Sequence, residues 1–431
     1  MYRRYMMDML QYWVDEYHVD GYRFDLMGIH DVETMNMIRE MLDETDDRII
    51  MYGEGWSGNT TLDPESCTGE PVLPCTQKNA VYTSDRIGFF NDQMRDALKG
   101  GVFDGPTAPG YLTGSFVFSP GISYGVRANT EGTGRNWKAI GPDQCVNYAS
   151  CHDNNTLYDK LVAINHGVSA DYTARYTDSI AQNKLSSAIT LSSQGINLFL
   201  AGEEMGRTKE GDENSYSSSP EINQIDWTLA ESNADLVSYY KGMLELRSVF
   251  SPFTAATTDE SDDTFKYSFH TSMAGASKTI AYTVENTKEG EWNKIAVMFN
   301  GTNGVTSQKL KPNVDKGISA DTEWVIVAND KAAGIKKLGE VKGLNIEVPA
   351  FSTMILVEKS TYEACAIESG FSTVTINHVD NETGKVIISN SIIGRPGEGY
   401  VAAADSSVPI SYVLESVEGE PVGKFAETDK T

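Results

Sequence analysis

The sequence is short of positive charge: 35 Lys and Arg stand against 61 Asp and Glu, a formal net charge of −26 over 431 residues. Nucleic-acid recognition needs cations to neutralise phosphates, so such a partner is excluded, as is adsorption to anionic lipid. No run approaches the ~20 apolar residues of a membrane span, so no transmembrane segment is expected. Met1-Tyr-Arg-Arg4 is not followed by the apolar core of a signal peptide. The five cysteines (67, 75, 145, 151, 365) are odd in number and lack metal spacing, which excludes a zinc site or a disulfide framework. A single loop disulfide between Cys67 and Cys75 stays open. His18, His30, His166, His270 and His378 fit no ligand set, no contiguous Asp-rich calcium loop appears, and no Gly-rich phosphate loop follows a strand. A neutral substrate is left as the natural expectation.

What is present is alternation. Residues 2–17 carry Tyr2, Met6, Met9, Leu10, Trp13 and Tyr17 at steps of three and four, which predicts an amphipathic helix with these side chains as a core stripe. A buried strand over 18–26 follows, then a helix over 32–44 capped by Asp31, and strands over 48–53 and 87–90. After helix 92–99 comes a Gly/Pro/Asn-rich excursion (100–143). Strand 146–150, helix 175–193, strand 196–201 and helix 233–249 complete the pattern. Strands alternating with helices imply βα units and a parallel sheet; the length and the missing phosphate loop favour a (β/α)8 barrel over an open doubly wound sheet. From about residue 254 to 360 the runs become short and strand-like between Gly, Asn and Asp turns, an all-β sandwich module. A linker is expected at 361–371, and a small β-rich module at 372–431 that opens with a hairpin turning at Asp380–Gly384.

Three segments concentrate the chemistry: Asp20-Gly-Tyr-Arg-Phe-Asp-Leu-Met27, Gly53-Glu-Gly-Trp56 and Cys151-His-Asp-Asn154. Each sets an acid just beyond a hydrophobic, strand-like run. Consecutive barrel strands deliver their C-terminal residues to one face, where two carboxyls about 5–5.5 Å apart perform retaining glycoside hydrolysis. Taken singly, each acid could be a structural Asp, a rim ion-pair residue or a helix cap.

With their neighbours, these segments resemble the α-amylase superfamily of glycoside hydrolases, and within it the type I pullulanases that debranch α-1,6 links. The resemblance is carried by Asp20–Gly28, Gly53–Trp56 and Tyr148–Asn154 with Asp159-Lys160, supported by Phe89–Asp92 with Arg95-Asp96 and by Ala201–Glu204 running through Arg207–Tyr216 to Asn223–Trp227. It implies a partial (β/α)8 TIM barrel, about strands four to eight, over 1–253. It also implies that Asp25 is the nucleophile, Glu54 the acid/base and Asp153 the third carboxylate, with Arg23 holding Asp25 ionised. His152, Trp56, Asn154, Asn214 and Tyr216 would bind sugar. The substrate would be an α-glucan such as pullulan, starch or glycogen. No cofactor is required, and a structural calcium is left open.

The alternatives are an α-1,4-acting amylase-type hydrolase or a non-catalytic surface glycan-binding protein. Thr373–Lys385 and Ile393–Tyr400 resemble a mucin-binding-protein type of repeat, which implies cell-wall or mucin glycan contact and an extracellular, wall-associated enzyme, with the cytoplasm as the other location. Strands one to three of the family's barrel have no counterpart here. The expectation is therefore a piece of a longer protein, cut at both ends and inactive alone.

Overall fold

The computed structural model describes residues 1–58, 72–132, 137–259, 264–365, 372–394, 397, 399–401 and 412–426. They fall into two compact units, Met1–Cys365 and Ala366–Thr431.

The first unit begins with helix α1 (Tyr2–Tyr17), which ends where His18 takes a left-handed conformation, φ 55°. Strand β1 (Gly21–Phe24) follows, then helix α2 (Val32–Thr45), whose N-cap Asp31 accepts a hydrogen bond from the Thr34 amide at 2.8 Å. Strands β2 (Ile50–Gly53) and β3 (Gly88–Phe90) lead to helix α3 (Asp92–Lys99), capped by Asn91. Helix α4 (Ser119–Val126) precedes β4 (Cys145–Tyr148), and α5 (Leu157–His166) and α6 (Thr177–Leu191) precede β5 (Ile196–Leu198). The five strands form one parallel sheet in sequence order, β1-β2-β3-β4-β5. This is the expected partial barrel.

Strands are shorter than the hydrophobic runs that announce them. The 18–26 run pairs only over Gly21–Phe24, because Leu26 turns left-handed (φ 43°); beyond β4, which stops at Tyr148, Asn154 turns left-handed as well (φ 63°). Such turns lift the side chains after each strand out of the ladder and toward the sheet's C-terminal end. Helix α4, inside the Gly/Pro/Asn-rich excursion, was not foreseen; Pro120 sits in its first turn, where a missing amide costs nothing. The stripe read on α1 needs correction. Met6 and Leu10 are buried among Met35, Ile38, Leu42 and Met51, but Tyr2, Tyr5, Tyr12, Trp13 and Tyr17 are exposed. The helix packs beside β1, an edge strand of the sheet, and among the described residues only one of its faces has a neighbour.

Within the same unit, β6 (Phe265–Phe269), β7 (Thr279–Asn286), β8 (Lys294–Asn300), β10 (Glu323–Ala328), β11 (Gly339–Lys342) and β13 (Ser352–Glu358) make an antiparallel sheet in the order β11-β10-β13-β8-β7-β6. Strands β9 (Thr306–Lys309) and β12 (Asn345–Val348) pair separately, and Met298, Leu310, Trp324, Ile346 and Leu356 belong to one core drawn from both sheets. The polar composition of β9 and β11 hid them from a hydrophobicity reading. The module is bound to the barrel segment. Tyr111 Oη donates to the Lys278 and Phe299 carbonyls, both at 3.0 Å, and Tyr282 Oη to that of Ser192 at 3.3 Å. Part of the segment read as linker is a helix, Lys359–Ala364, pinned by Tyr362 Oη on the Ile335 carbonyl at 3.1 Å. Cys67 lies outside the described residues, and Cys75 is a buried free thiol.

In the second unit Ser372–Val379 pairs antiparallel with Val386–Gly394 around a turn closed by Thr383 and Asp380, and Gly399–Val401 pairs with Val422–Lys424. Val374, Tyr400 and Phe425 form its small core. No helix among the described residues is long and apolar enough to cross a membrane.

Candidate active site

The motif after β1 is a small folding device. Leu26 turns left-handed and directs its amide at Glu54 Oε2, 2.8 Å away. Met27 packs fully buried, and the Gly28 amide donates to the carbonyls of Glu54 (3.3 Å) and Trp56 (3.2 Å). A Cβ on Gly28 would come within 2.7 Å of the Trp56 backbone, and one on Gly53 within 2.7 Å of the Phe24 carbonyl. These glycines let the turn after β1 and the turn after β2 touch, so that the two acids meet.

They meet on one guanidinium. Arg23 donates to Asp25 Oδ1 at 2.7 Å and to Glu54 Oε1 at 2.6 Å, with Phe90 beneath it. The Asp25 carboxyl is 74% exposed and that of Glu54 only 7%. The hydrogen bond from Arg23, more than any other effect, lowers the Asp25 pKa; burial, with the neighbouring Asp25 charge, raises that of Glu54. The two environments thus push the pKa values of the two acids apart, that of Asp25 down and that of Glu54 up.

The two acids open into a cleft of about 650 Å³ lined also by Trp56, Phe90, Asp92, Arg95, Phe103, Tyr148, Cys151, Asp153 and Asn154. Asp153 is exposed, 3.4 Å from His152 Nε2. His152 sits at the rim; its ring is not among the lining groups, though it is near enough to Asp25 to help lower that acid. Trp56 is half-buried against the cluster of Phe90, Val146 and Tyr148, so part of it is packing and part faces the cleft. Asn154 lines the cleft. Asn214 and Tyr216, expected to line it, do not: both lie exposed on the loop after β5, with Tyr216 86% exposed. That loop is tied down elsewhere, at Asp159 of α5, which accepts from Thr208 Oγ1 and from the Lys209 amide at 2.8 Å.

Sequence reasoning gave Asp92 no site role, yet it is the cleft's fourth acid. Tyr148 Oη donates to it at 2.9 Å and Gln77 Nε2 at 3.2 Å, Arg95 stands 3.4 Å away, and burial pushes its pKa up to about 6. It follows the apolar run 87–90 just as Asp25 and Glu54 follow theirs, so the same signal could have found it. Among the described residues no group of three His, Cys, Asp or Glu is placed to hold a metal ion.

No family model matches the chain. Over 261 residues it is 34% identical to a pullulanase of Bacillus subtilis, an alignment covering 59% of this chain and 33% of that one. Against the chloroplastic pullulanase 1 of Arabidopsis thaliana it is 30% identical over 282 residues, covering 54% and 28%. Among solved structures, a pullulanase from Bacillus acidopullulyticus superposes with a TM-score of 0.69 at 32% identity, covering 83% of this chain and 40% of that one. A Paenibacillus barengoltzii pullulanase complexed with maltotetraose gives 0.68 at 34% identity, covering 83% and 50%. The chain therefore spans about a third of these curated relatives and half or less of the solved structures.

A parallel βα sheet with carboxylates at successive strand ends, followed by a β sandwich, is the architecture of the α-amylase superfamily. Over the part of their length that it spans, the chain is similar to these pullulanases in sequence and in fold.

Proposed function

We propose that this chain carries the catalytic carboxylates of a retaining glycoside hydrolase acting on α-1,6 links in pullulan, starch or glycogen-type α-glucan. The observation that carries the proposal is the pair on Arg23: an exposed Asp25 whose pKa is lowered and a buried Glu54 whose pKa is raised.

In this reading Asp25 attacks the anomeric carbon as Glu54 gives its proton to the departing sugar oxygen. The glycosidic bond breaks as a glycosyl ester to Asp25 forms. Glu54, now ionised, takes a proton from water; the water oxygen attacks the same carbon and expels Asp25. Two inversions restore the original anomeric configuration. Asp153 would hold hydroxyls of the distorted sugar, with His152 and Asn154 assisting, and Trp56 would offer its uncovered face.

The test is product analysis with pullulan and amylose. It uses the 431-residue chain and a chimera in which the barrel segment of the Bacillus subtilis relative precedes it. The unpaired β1 edge predicts that the chimera is the more active, since closing the sheet into a barrel removes its edges and fixes the strand ends that carry the acids. Mainly trisaccharide from pullulan supports the proposal. Cleavage of amylose with pullulan intact would move the assignment to α-1,4 links, and no cleavage of either by both proteins would sink it.

For the second unit we propose contact with wall or mucin glycan, which would place the enzyme outside the cell. Its support is the 372–394 hairpin, where that resemblance fell. Mucin retention unchanged by deleting 366–431 would refute this.

A further inference from the structure

Residues 151–154, which carry Asp153 to the cleft, belong to no helix or strand, and among the described residues no backbone group pairs with theirs. Buried ionisable side chains hold this stretch instead. Past its end, Lys99 of α3 donates to the Asn155 carbonyl at 3.3 Å, and Lys209 approaches the His152 carbonyl at 3.4 Å. Before its start, the Ser150 hydroxyl donates to Glu203 Oε2. Glu203 follows β5 and is itself fixed twice. Tyr240 Oη, from helix Ala234–Val249, donates to its Oε1 at 3.0 Å, and Asn183 of α6 donates to its carbonyl at 3.0 Å.

A buried carboxyl is a costly way to fill a core, since an apolar side chain of similar size would pack without losing hydration. Burial raises the Glu203 pKa to about 7, and the Ser150 and Tyr240 hydroxyls and the Lys99 charge oppose that shift. What the carboxyl supplies is a strong acceptor for the hydroxyl at the end of the β4 run, three residues before Asp153. We propose that Glu203 is a positioning residue for Asp153: through Ser150 it fixes the start of the 151–154 stretch, as Lys99 fixes its end. The proposal rests on reading Asp153 as the third carboxylate of a glycoside hydrolase.

Cys151, inside the held stretch and lining the cleft, reports on the tether without turnover. Alkylation of the 431-residue chain with iodoacetamide, located by peptide mass, should be about tenfold faster at Cys151 in Ser150→Ala and in Glu203→Ala. Glu203→Gln, which can still meet both hydroxyls, should recover most of the wild-type rate. Because Asp153 would act on the distorted sugar, kcat on pullulan in this chain and its chimera should fall about 10–10²-fold in both Ala variants, with KM within about twofold. Alkylation unchanged in both variants overturns the tether and leaves the carboxylates as they are. Faster alkylation with kcat unmoved overturns the positioning role. A change in Glu203→Ala alone, with a lower melting temperature, would make Glu203 a core residue only. No turnover by the wild-type proteins would sink the hydrolase reading, and the role given to Asp153 with it, while alkylation still decides the tether.

Discussion

The two sheets of the first unit treat charge in opposite ways. At the C-terminal end of the parallel sheet, four carboxyls (Asp25, Glu54, Asp92, Asp153) share a cleft with two guanidiniums, Arg23 and Arg95. The acids outnumber the cations, and their pKa values are pushed apart: burial raises that of Glu54 and lifts that of Asp92 to about 6, while the Arg23 hydrogen bond lowers that of Asp25. In the antiparallel module the buried charge is paired off. Lys294 lies 2.9 Å from Asp315 and 3.2 Å from Glu285, and the Asp315 pKa is lowered, against the effect of its burial, by the ammonium and by the Gly317 amide. A site that must move a proton keeps an excess of acids; a scaffold that must only persist does not.

That contrast can be broken from either side. The largest effect should follow Glu54→Gln, which keeps the shape and the Leu26 hydrogen bond but removes the proton donor; turnover should fall about 10²–10⁴-fold with the melting temperature little changed. A variant that keeps its rate would end the acid/base assignment. Asp315→Ala should do the reverse. It leaves the buried Lys294 ammonium with Glu285 as its one carboxylate partner, at a cost of about 3 kcal/mol in urea unfolding, with the KM of the folded fraction unmoved. Because the Asp315 pKa is depressed, this stabilisation is complete above the ordinary carboxylate value and fades only as pH falls through the lower folded one, so wild type and variant should converge in acid.

Gly28→Ala comes next. Its methyl would press on the Trp56 backbone, so overpacking of about 1–3 kcal/mol should appear together with a lower kcat, through displacement of Glu54. Unaltered kinetics would show that the two turns need not touch. The pH–rate profile should be a bell whose acid limb, from Asp25, lies below the usual Asp range and whose basic limb, from Glu54, lies above the usual Glu value. A basic limb at the ordinary Glu value would contradict the burial argument. The smallest effect is expected from Tyr216→Ala, since that ring stands outside the cleft: KM for pullulan should move less than about twofold. A larger rise would bring the loop after β5 back into the site.

Much of the site was legible because a barrel strand advertises itself twice, as an apolar run and as the polar residue that ends it. Asp25, Glu54 and Asp153 carry that signal, and all three line the cleft, as do Arg23 and Asn154, which the resemblance supplied. Asp92 carries it as well and was passed over, since its segment served only as a fold marker. Asn214 and Tyr216 had no such signal; they were placed by resemblance alone, and a loop can keep its residues while its path differs. Phe103 could not be read at all, because an aromatic between glycines looks the same whether its loop folds inward or holds it in water. The exposed aromatics of α1 failed for a related reason: periodicity shows that a helix has an apolar face, not whether a second element exists to cover it.

By itself the sequence determined the order of the parallel strands and of most helices between them, and the acids at the strand ends from which the chemistry is proposed, since these follow from local periodicity and from residue type. The protonation of those acids was decided only in three dimensions. Whether a carboxyl keeps its proton depends on burial and on which cation stands within hydrogen-bond reach, and Arg23 reaches both Asp25 and Glu54 only because Leu26 turns left-handed and Gly28 lets the Trp56 backbone come close.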